Sequence, residues 1–289
     1  MMWSIYLNVV VQGVLTGLVY GLMALGLSVI FGVVRVVNFA HGEFAVVAMY
    51  AAFLLFRSLG LDPLITMLPI AAAFFVLGFA LQATLINAFV SRPEHDQFIL
   101  LVGIGIVILN GLLMLFGPDA QPANLPYAFD SYAVGPLFID KVRIYSAVAA
   151  LAIAAGLFAF FRYSATGTAI RACADNLVGA AVVGLNVKRL YAITFGIGLA
   201  CVGAAGALLV TLADAAPNLG PAYTLLAFII VIVGGLGSMT GALVGGLLIG
   251  VSEALAGFVI EPSMKSMFSF ALLIAVLVLR PHGLMGRRA

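Results

Sequence analysis

Residues 5–32 form one apolar run of 28 positions. As a helix it would be about 42 Å long, more than the ~30 Å hydrocarbon core of a bilayer. Further apolar runs follow at 44–59, 64–90, 98–117, 142–161, 190–212, 222–233, 242–260 and 264–280. The chain of 289 residues is 64% hydrophobic and 8% charged, with a mean hydropathy of +1.24. Soluble chains carry about 25% charged residues, so a soluble core of this size has no way to hide that much apolar surface. Lipid is the solvent, and the long runs without strict alternation select helices over a barrel. With 222–233 joined to 242–260 as one interrupted element, the expectation is an all-α polytopic membrane protein. It has about eight transmembrane helices in a single domain over 1–289, with no separate soluble domain.

The net charge of +2 gives no footprint for nucleic acid. Cys173 falls in a polar loop and Cys201 in an apolar run, which argues against a disulfide, and two lone cysteines make no metal motif. The opening "MMWSIYLNVVVQG" lacks a basic region, so the first run is expected to be a retained span. Basic residues set the expected orientation. Placing 91–97, 162–189 and 281–289 in the cytoplasm puts Arg92, Arg162, Arg171, Lys188, Arg189, Arg280, Arg287 and Arg288 inside, with Arg35 beside them. Arg57, Lys141, Arg143 and Lys265 lie outside, among Asp62, Asp119, Asp130, Asp140, Asp214 and Glu261. The N-terminus is then outside and the C-terminus inside. The outer connections 117–143 and 214–223 read as irregular loops rich in proline and small residues.

Two stretches interrupt the apolar pattern. The first, "VVNFAHGEFAV" (36–46), places Asn38, His41 and Glu43 around Gly42, directly after Arg35. The following run 44–59 is only about 24 Å long as a helix, so the polar stretch is expected partly within membrane depth. The second, "GGLGSMTGALVGG" (234–246), carries Gly234, Gly235, Gly237 and Ser238 after a run of about 18 Å. Irregular backbone at membrane depth is tolerated where it is buried in protein or lines a wet cavity. One break in each half points to a pathway at a pseudo-symmetric centre; the competing reading is that the glycines only let helices pack closely. Glu253, beside Ser252 inside a span, lines that pathway or pairs with another helix, and pairing is the simpler role.

The segment 162–189, "RYSATGTAIRACADNLVGAAVVGLNVKR", has the pattern of two short helices. "GTAIRACA" is one; Asp175 and Asn176 cap a second, and Gly184 ends it. Leu177, Val182 and Val183 would form an apolar knob on the inner face, suited to a groove on another protein. The alternative is a loop resting on lipid headgroups with Arg171, Lys188 and Arg189 reaching outward.

Four segments together, "GLVYGLMALGLSVIFGVVRVVNFAHGEF", "GTAIRACADNLVGAAVVGLNVKRLYAITFGIG", "GGLGSMTGALVGG" and "LRPHGLMG", resemble the LivH-type permease subunit of branched-chain amino-acid ABC importers. The resemblance runs along nearly the whole chain. It implies a multi-pass protein of the bacterial inner membrane. It also implies a second, LivM-like permease, two cytoplasmic ATP-binding subunits and a periplasmic substrate-binding protein as partners. It implies a coupling helix in the cytoplasmic loop, matched by Arg171, Asp175, Asn176, Ala180 and Gly184. The chain has no GxxxxGK[ST] phosphate loop, so ATP would be a cofactor of the partner subunits and of none of this chain's own residues. Two other classes are weighed. An ion-coupled secondary transporter or channel would need an intramembrane relay, for which Asn38, His41, Glu43 and Glu253 are candidates. A membrane enzyme is disfavoured: His41, His95 and His282 are far apart, none lies in HExxH, and His41 and Glu43 do not share a helix face.

Overall fold

The computed structural model describes residues 2–90, 92–135, 137–260 and 265–286. Glu261, Arg287 and Arg288, which enter the charge bias above, lie outside the described residues. The helices are α1 (Met2–Val34), α2 (His41–Leu59), α3 (Pro63–Thr84), α4 (Glu94–Phe116), α5 (Lys141–Tyr163), α6 (Ala165–Asp175), α7 (Leu177–Val182), α8 (Val187–Leu209), α9 (Gly220–Gly234), α10 (Met239–Val259) and α11 (Lys265–Leu279). A two-stranded antiparallel hairpin, β1 (Ser131–Val134) and β2 (Leu137–Asp140), precedes α5, with Ser131 opposite Asp140. Among the described residues, eight helices are long and apolar enough to cross a membrane, and α11 is a shorter apolar helix.

The most enclosed span is α8, and α1 and α2 are buried beside it, while α3, α4 and α5 turn most of their surface outward. Small residues make this packing close. A Cβ on Gly17 of α1 would lie 2.6 Å from the Gly246 carbonyl of α10, and one on Gly250 would lie 2.5 Å from the Gly13 carbonyl. The same device joins α8 to α3, where a Cβ on Gly196 would lie 2.8 Å from the Phe75 carbonyl. Lipid tails are as apolar as leucine, so helices in a bilayer gain by close backbone packing, which small residues permit.

These contacts run in opposite sequence directions, so α1 is antiparallel to α10 and α8 is antiparallel to α3. Gly26 and Ile30 of α1 meet Cys201 and Gly198 of α8, so those two are antiparallel as well. Each half therefore follows one plan: a long helix (α1, α8), an irregular return (35–40, 210–219), a helix that starts inside the protein (α2, α9), and a full return helix (α3, α10). The pairing of α2 with α4 has its counterpart in α9 with α11. The two halves are inverted relative to each other, as in transporters whose binding regions lie at a repeat interface.

This arrangement corrects the second interruption. Residues 222–233 and 242–260 are not one broken span. They belong to separate antiparallel helices, α9 and α10, joined by a four-residue turn at 235–238. The second break lies earlier, in the segment read from sequence as an outer loop. There Ala215, Ala216 and Pro217 are buried and lead the chain back to Gly220.

Candidate functional site at the junction of two half-helices

Arg35 ends α1 in a left-handed conformation, φ +59°, and the chain then turns back into the protein. Asn38 and His41 are fully buried and Glu43 nearly so. The Asn38 Oδ1 accepts from the Ala40 N–H at 3.1 Å, so the side chain replaces a backbone partner in the break. The His41 Nε2 donates to the Met23 carbonyl at 2.9 Å. That bond places the ring proton on Nε2 and fixes α2 to the interior of α1. Met23 lies about 16 Å from the C-terminal end of α1, roughly half a bilayer core.

Gly42 is where α2 meets α9. A Cβ there would lie 2.1 Å from the Gly220 carbonyl and 2.3 Å from the Thr224 nitrogen. The Gly42 N–H donates to Thr224 Oγ1 at 2.8 Å, and that hydroxyl donates in turn to Glu43 Oε2 at 2.9 Å. A threonine hydroxyl has one proton and two lone pairs, so Thr224 completes both bonds at once. The Glu43 carboxyl also lies over Gly220, whose Cβ, if present, would sit 2.9 Å from Glu43 Cγ. The carboxyl thus faces the first turns of both α2 and α9. Helix N-termini carry partial positive charge, so two of them favour an acidic group at a place remote from water. Above the junction, the Tyr50 hydroxyl donates to the Ala215 carbonyl at 3.3 Å, and Gln121 bridges to Ala215. Below it, Phe39 packs edge-on against Phe98 and tilted against Phe228, with ring centres 4.6 and 5.0 Å apart.

Asn38, His41, Gly42 and Glu43 are therefore brought together. Gly234, Gly235, Gly237 and Ser238 are not part of that cluster. Gly235 and Gly237 take φ +108° and +77° in the turn after α9, Ser238 Oγ caps α10 through the Gly241 N–H at 3.1 Å, and Gly237 lies against Gly32 near the C-terminal end of α1. A Cβ on Gly234 would lie 2.1 Å from the Gly241 carbonyl, so this stretch packs two helices tightly rather than breaking one. The C-terminal segment seals it: Leu284 and Met285 donate to the carbonyls of Val233 and Gly234. Glu253 is also apart from the junction. It accepts from Ser269 of α11 at 3.1 Å and from the Tyr20 hydroxyl of α1, which ties three helices together. Among the described residues no three His, Cys, Asp or Glu side chains converge as metal ligands.

Thr224, Gly220 and Tyr50 were missed by sequence reasoning. A signal was present: "PNLGPAYT" sets proline and glycine before the short apolar run 222–233, which repeats the character of the first break.

The segment between α5 and α8 forms the two short helices expected. Ser164 caps α6 through the Gly167 N–H at 2.9 Å, and Asn176 caps α7 through the Gly179 N–H at 2.8 Å. Asp175 is the last residue of α6, and Gly184 ends the unit at φ +84°. Ala180 and Cys173 are buried against the bundle, and burial pushes the Cys173 thiol up from its ordinary range. Arg171 is exposed, as are Leu177, Val178, Val182 and Val183, the last three about three-quarters or more.

Residues 9–277 match the family model described as the branched-chain amino acid transport system permease component. The chain is 32% identical to the high-affinity branched-chain amino acid transport system permease protein BraD of Pseudomonas aeruginosa, over 98% of this chain and 96% of that protein. It is 32% identical, with the same shares covered, to the corresponding permease protein LivH of Escherichia coli. A probable branched-chain amino acid transport permease, LivH of Methanocaldococcus jannaschii, is 26% identical over 92% of this chain and 88% of its own length. With its inverted membrane helices matched from one end to the other, the chain belongs to the branched-chain amino acid transport permease family.

Proposed function

We propose that this chain is one of two permease subunits in an ATP-driven importer for branched-chain or closely related amino acids, lying in the bacterial inner membrane. The exposed apolar knob on α7 carries this reading. Leu177, Val178, Val182 and Val183 stand on a capped, folded unit that is fixed to the bundle through Ala180 and Cys173. A rigid unit with an apolar tip fits a groove on a protein partner better than a loose loop resting on headgroups.

The partner set follows from the family: a second LivM-like permease to complete the pathway, two ATP-binding subunits beneath α6 and α7, and a periplasmic binding protein that delivers the solute. ATP is bound and hydrolysed by the partners. The N-terminus lies outside and the C-terminus inside, which puts α6 and α7 in the cytoplasm. Closure of the ATP-binding subunits pushes on α7, with Arg171, Asp175, Asn176, Ala180 and Gly184 as the transmitting unit. The push passes through α5 and α8 to the inverted bundle, and the bundle rocks about the α2–α9 junction. Asn38, His41, Gly42 and Glu43 hold that junction closed; their bonds go to backbone and to Thr224, which suits a hinge support more than a solute site.

Affinity purification of the tagged chain tests the assembly: two ATP-binding subunits should copurify, and their absence under mild detergent would count against the reading. Asp175→Lys and Gly184→Trp should each leave membrane insertion intact while uncoupling ATP hydrolysis from uptake. Unchanged uptake in both would remove the docking assignment.

A further inference from the structure

A cavity of about 870 Å³ lies away from the junction, between the inner end of α1, α6 and the turn joining α9 to α10. Its size is that of a small-molecule site. Ser28 and Gly32 line it from one face of α1, spaced by four residues, and Arg35 lines it directly after the helix ends. Ser28 is fully buried, and its hydroxyl has no hydrogen-bond partner among the described residues. A buried hydroxyl without a partner in a cavity wall is costly unless a ligand or water completes it. Arg35 is the one non-glycine residue with a positive φ among those described, and this costly backbone places it on the same wall. Opposite stand Thr168, Arg171 and Asp175 of α6, and the apolar surface comes from Phe161, Leu236 and Met239.

From this we infer a cytoplasmic site for a free amino acid with an apolar side chain. Its carboxylate is held by the guanidinium groups of Arg35 and Arg171 and by the Ser28 hydroxyl. Its ammonium faces Asp175, and its side chain packs on Phe161, Leu236 and Met239. Two cations, one acid and an apolar wall match a zwitterion better than a phosphate, which would find the acid repulsive. The inference rests on the reading of the chain as an amino-acid importer and adds regulation to it. A ligand bridging α1 to α6 ties the coupling unit to the bundle, so solute that has accumulated inside slows further import. The α7 knob takes no part in the cavity and stays open to the ATP-binding subunits.

The test uses the assembled transporter and the double variant Ser28→Ala/Arg35→Gly, in which glycine accepts the left-handed turn and removes the guanidinium. Binding of radiolabelled leucine is measured on the complex in nanodiscs without binding protein. Wild type should bind, and the double variant should bind about tenfold or more weakly, as expected when charge-assisted bonds are lost. Equal binding by both, no binding by wild type, or displacement by inorganic phosphate or anionic lipid but not by unlabelled leucine overturns the proposal. In proteoliposomes with ATP inside and binding protein outside, leucine loaded into the lumen should cut the initial uptake rate about fivefold or more, the low end of ordinary coupling between sites. The double variant should keep its rate. Active uptake that ignores lumenal leucine also overturns the proposal. Absent uptake from empty vesicles instead strikes the importer reading, and the binding measurement still decides the site.

Discussion

Replacing Gly42 by alanine adds one methyl group at the place where the two half-helices touch. That carbon would sit 2.1 Å from the Gly220 carbonyl, 2.3 Å from the Thr224 nitrogen and 2.8 Å from Thr224 Oγ1. The first two are backbone atoms in the first turn of α9, so no side-chain rotation relieves the contact. The helices must part by about 1 Å to reach van der Waals distance. Overpacking of this kind costs about 1–3 kcal/mol. Parting also lengthens the Gly42–Thr224 bond, and a buried N–H left without its partner costs about 1–3 kcal/mol more. The expected loss is therefore about 2–5 kcal/mol. Cys173 and Cys201 are buried free thiols, so a thiol-reactive fluorophore reports unfolding of the purified chain directly. The midpoint should fall by about 5–15 °C. Two neighbours calibrate the result. Gly220→Ala should cost less, because its new carbon stays 2.9 Å from Glu43 Cγ and 3.2 Å from Glu43 Cα, a milder clash than the 2.1 Å at Gly42. Gly103→Ala in α4 should cost nothing, because its new carbon meets open space. A Gly42→Ala chain that melts with wild type and transports normally would refute the junction as described.

Thr224→Val keeps the shape but removes both bonds to α2, and should lower stability by about 2–3 kcal/mol in the same melt, while Thr224→Ser stays near wild type. Ser238→Ala removes the N-cap of α10 and should cost about 1 kcal/mol. Gly235→Val meets both a forbidden φ and the Gly286 backbone at 2.3 Å. It should release the C-terminal segment, read as faster hydrogen exchange at the Leu284 and Met285 amides, which bond to the Val233 and Gly234 carbonyls. Cys173 is buried and its thiol is held protonated at neutral pH. Its alkylation by iodoacetamide in the folded chain should be slow at pH 7 and rise only as pH approaches the raised value, since only the thiolate reacts.

The first break was legible because Asn38, His41 and Glu43 are conspicuous in an apolar chain and have no soluble surface to occupy. The two short helices between α5 and α8 were legible because their caps are local: Asn176 reaches a backbone three residues on, and Gly184 needs only its own φ. The second break was hidden. "DAAPNLGP" has the composition of an aqueous loop, and its burial depends on Gln121 and Tyr50, which are distant in sequence. Thr224 was hidden for a similar reason, since an isolated threonine in an apolar run reads as ordinary until Gly42, 182 residues away, is set against it. The stretch 234–246 was misplaced because glycine density has two physical causes. It permits a broken helix, and it permits two helices to touch; only the position of Gly241 against Gly234 tells them apart.

Uptake by the reconstituted transporter in the presence of a protonophore and a sodium ionophore tests the central claim most directly. Labelled leucine should accumulate only with ATP inside and binding protein outside, at a rate the ionophores leave unchanged. Uptake that needs no ATP and collapses when the ion gradients are dissipated would contradict the account.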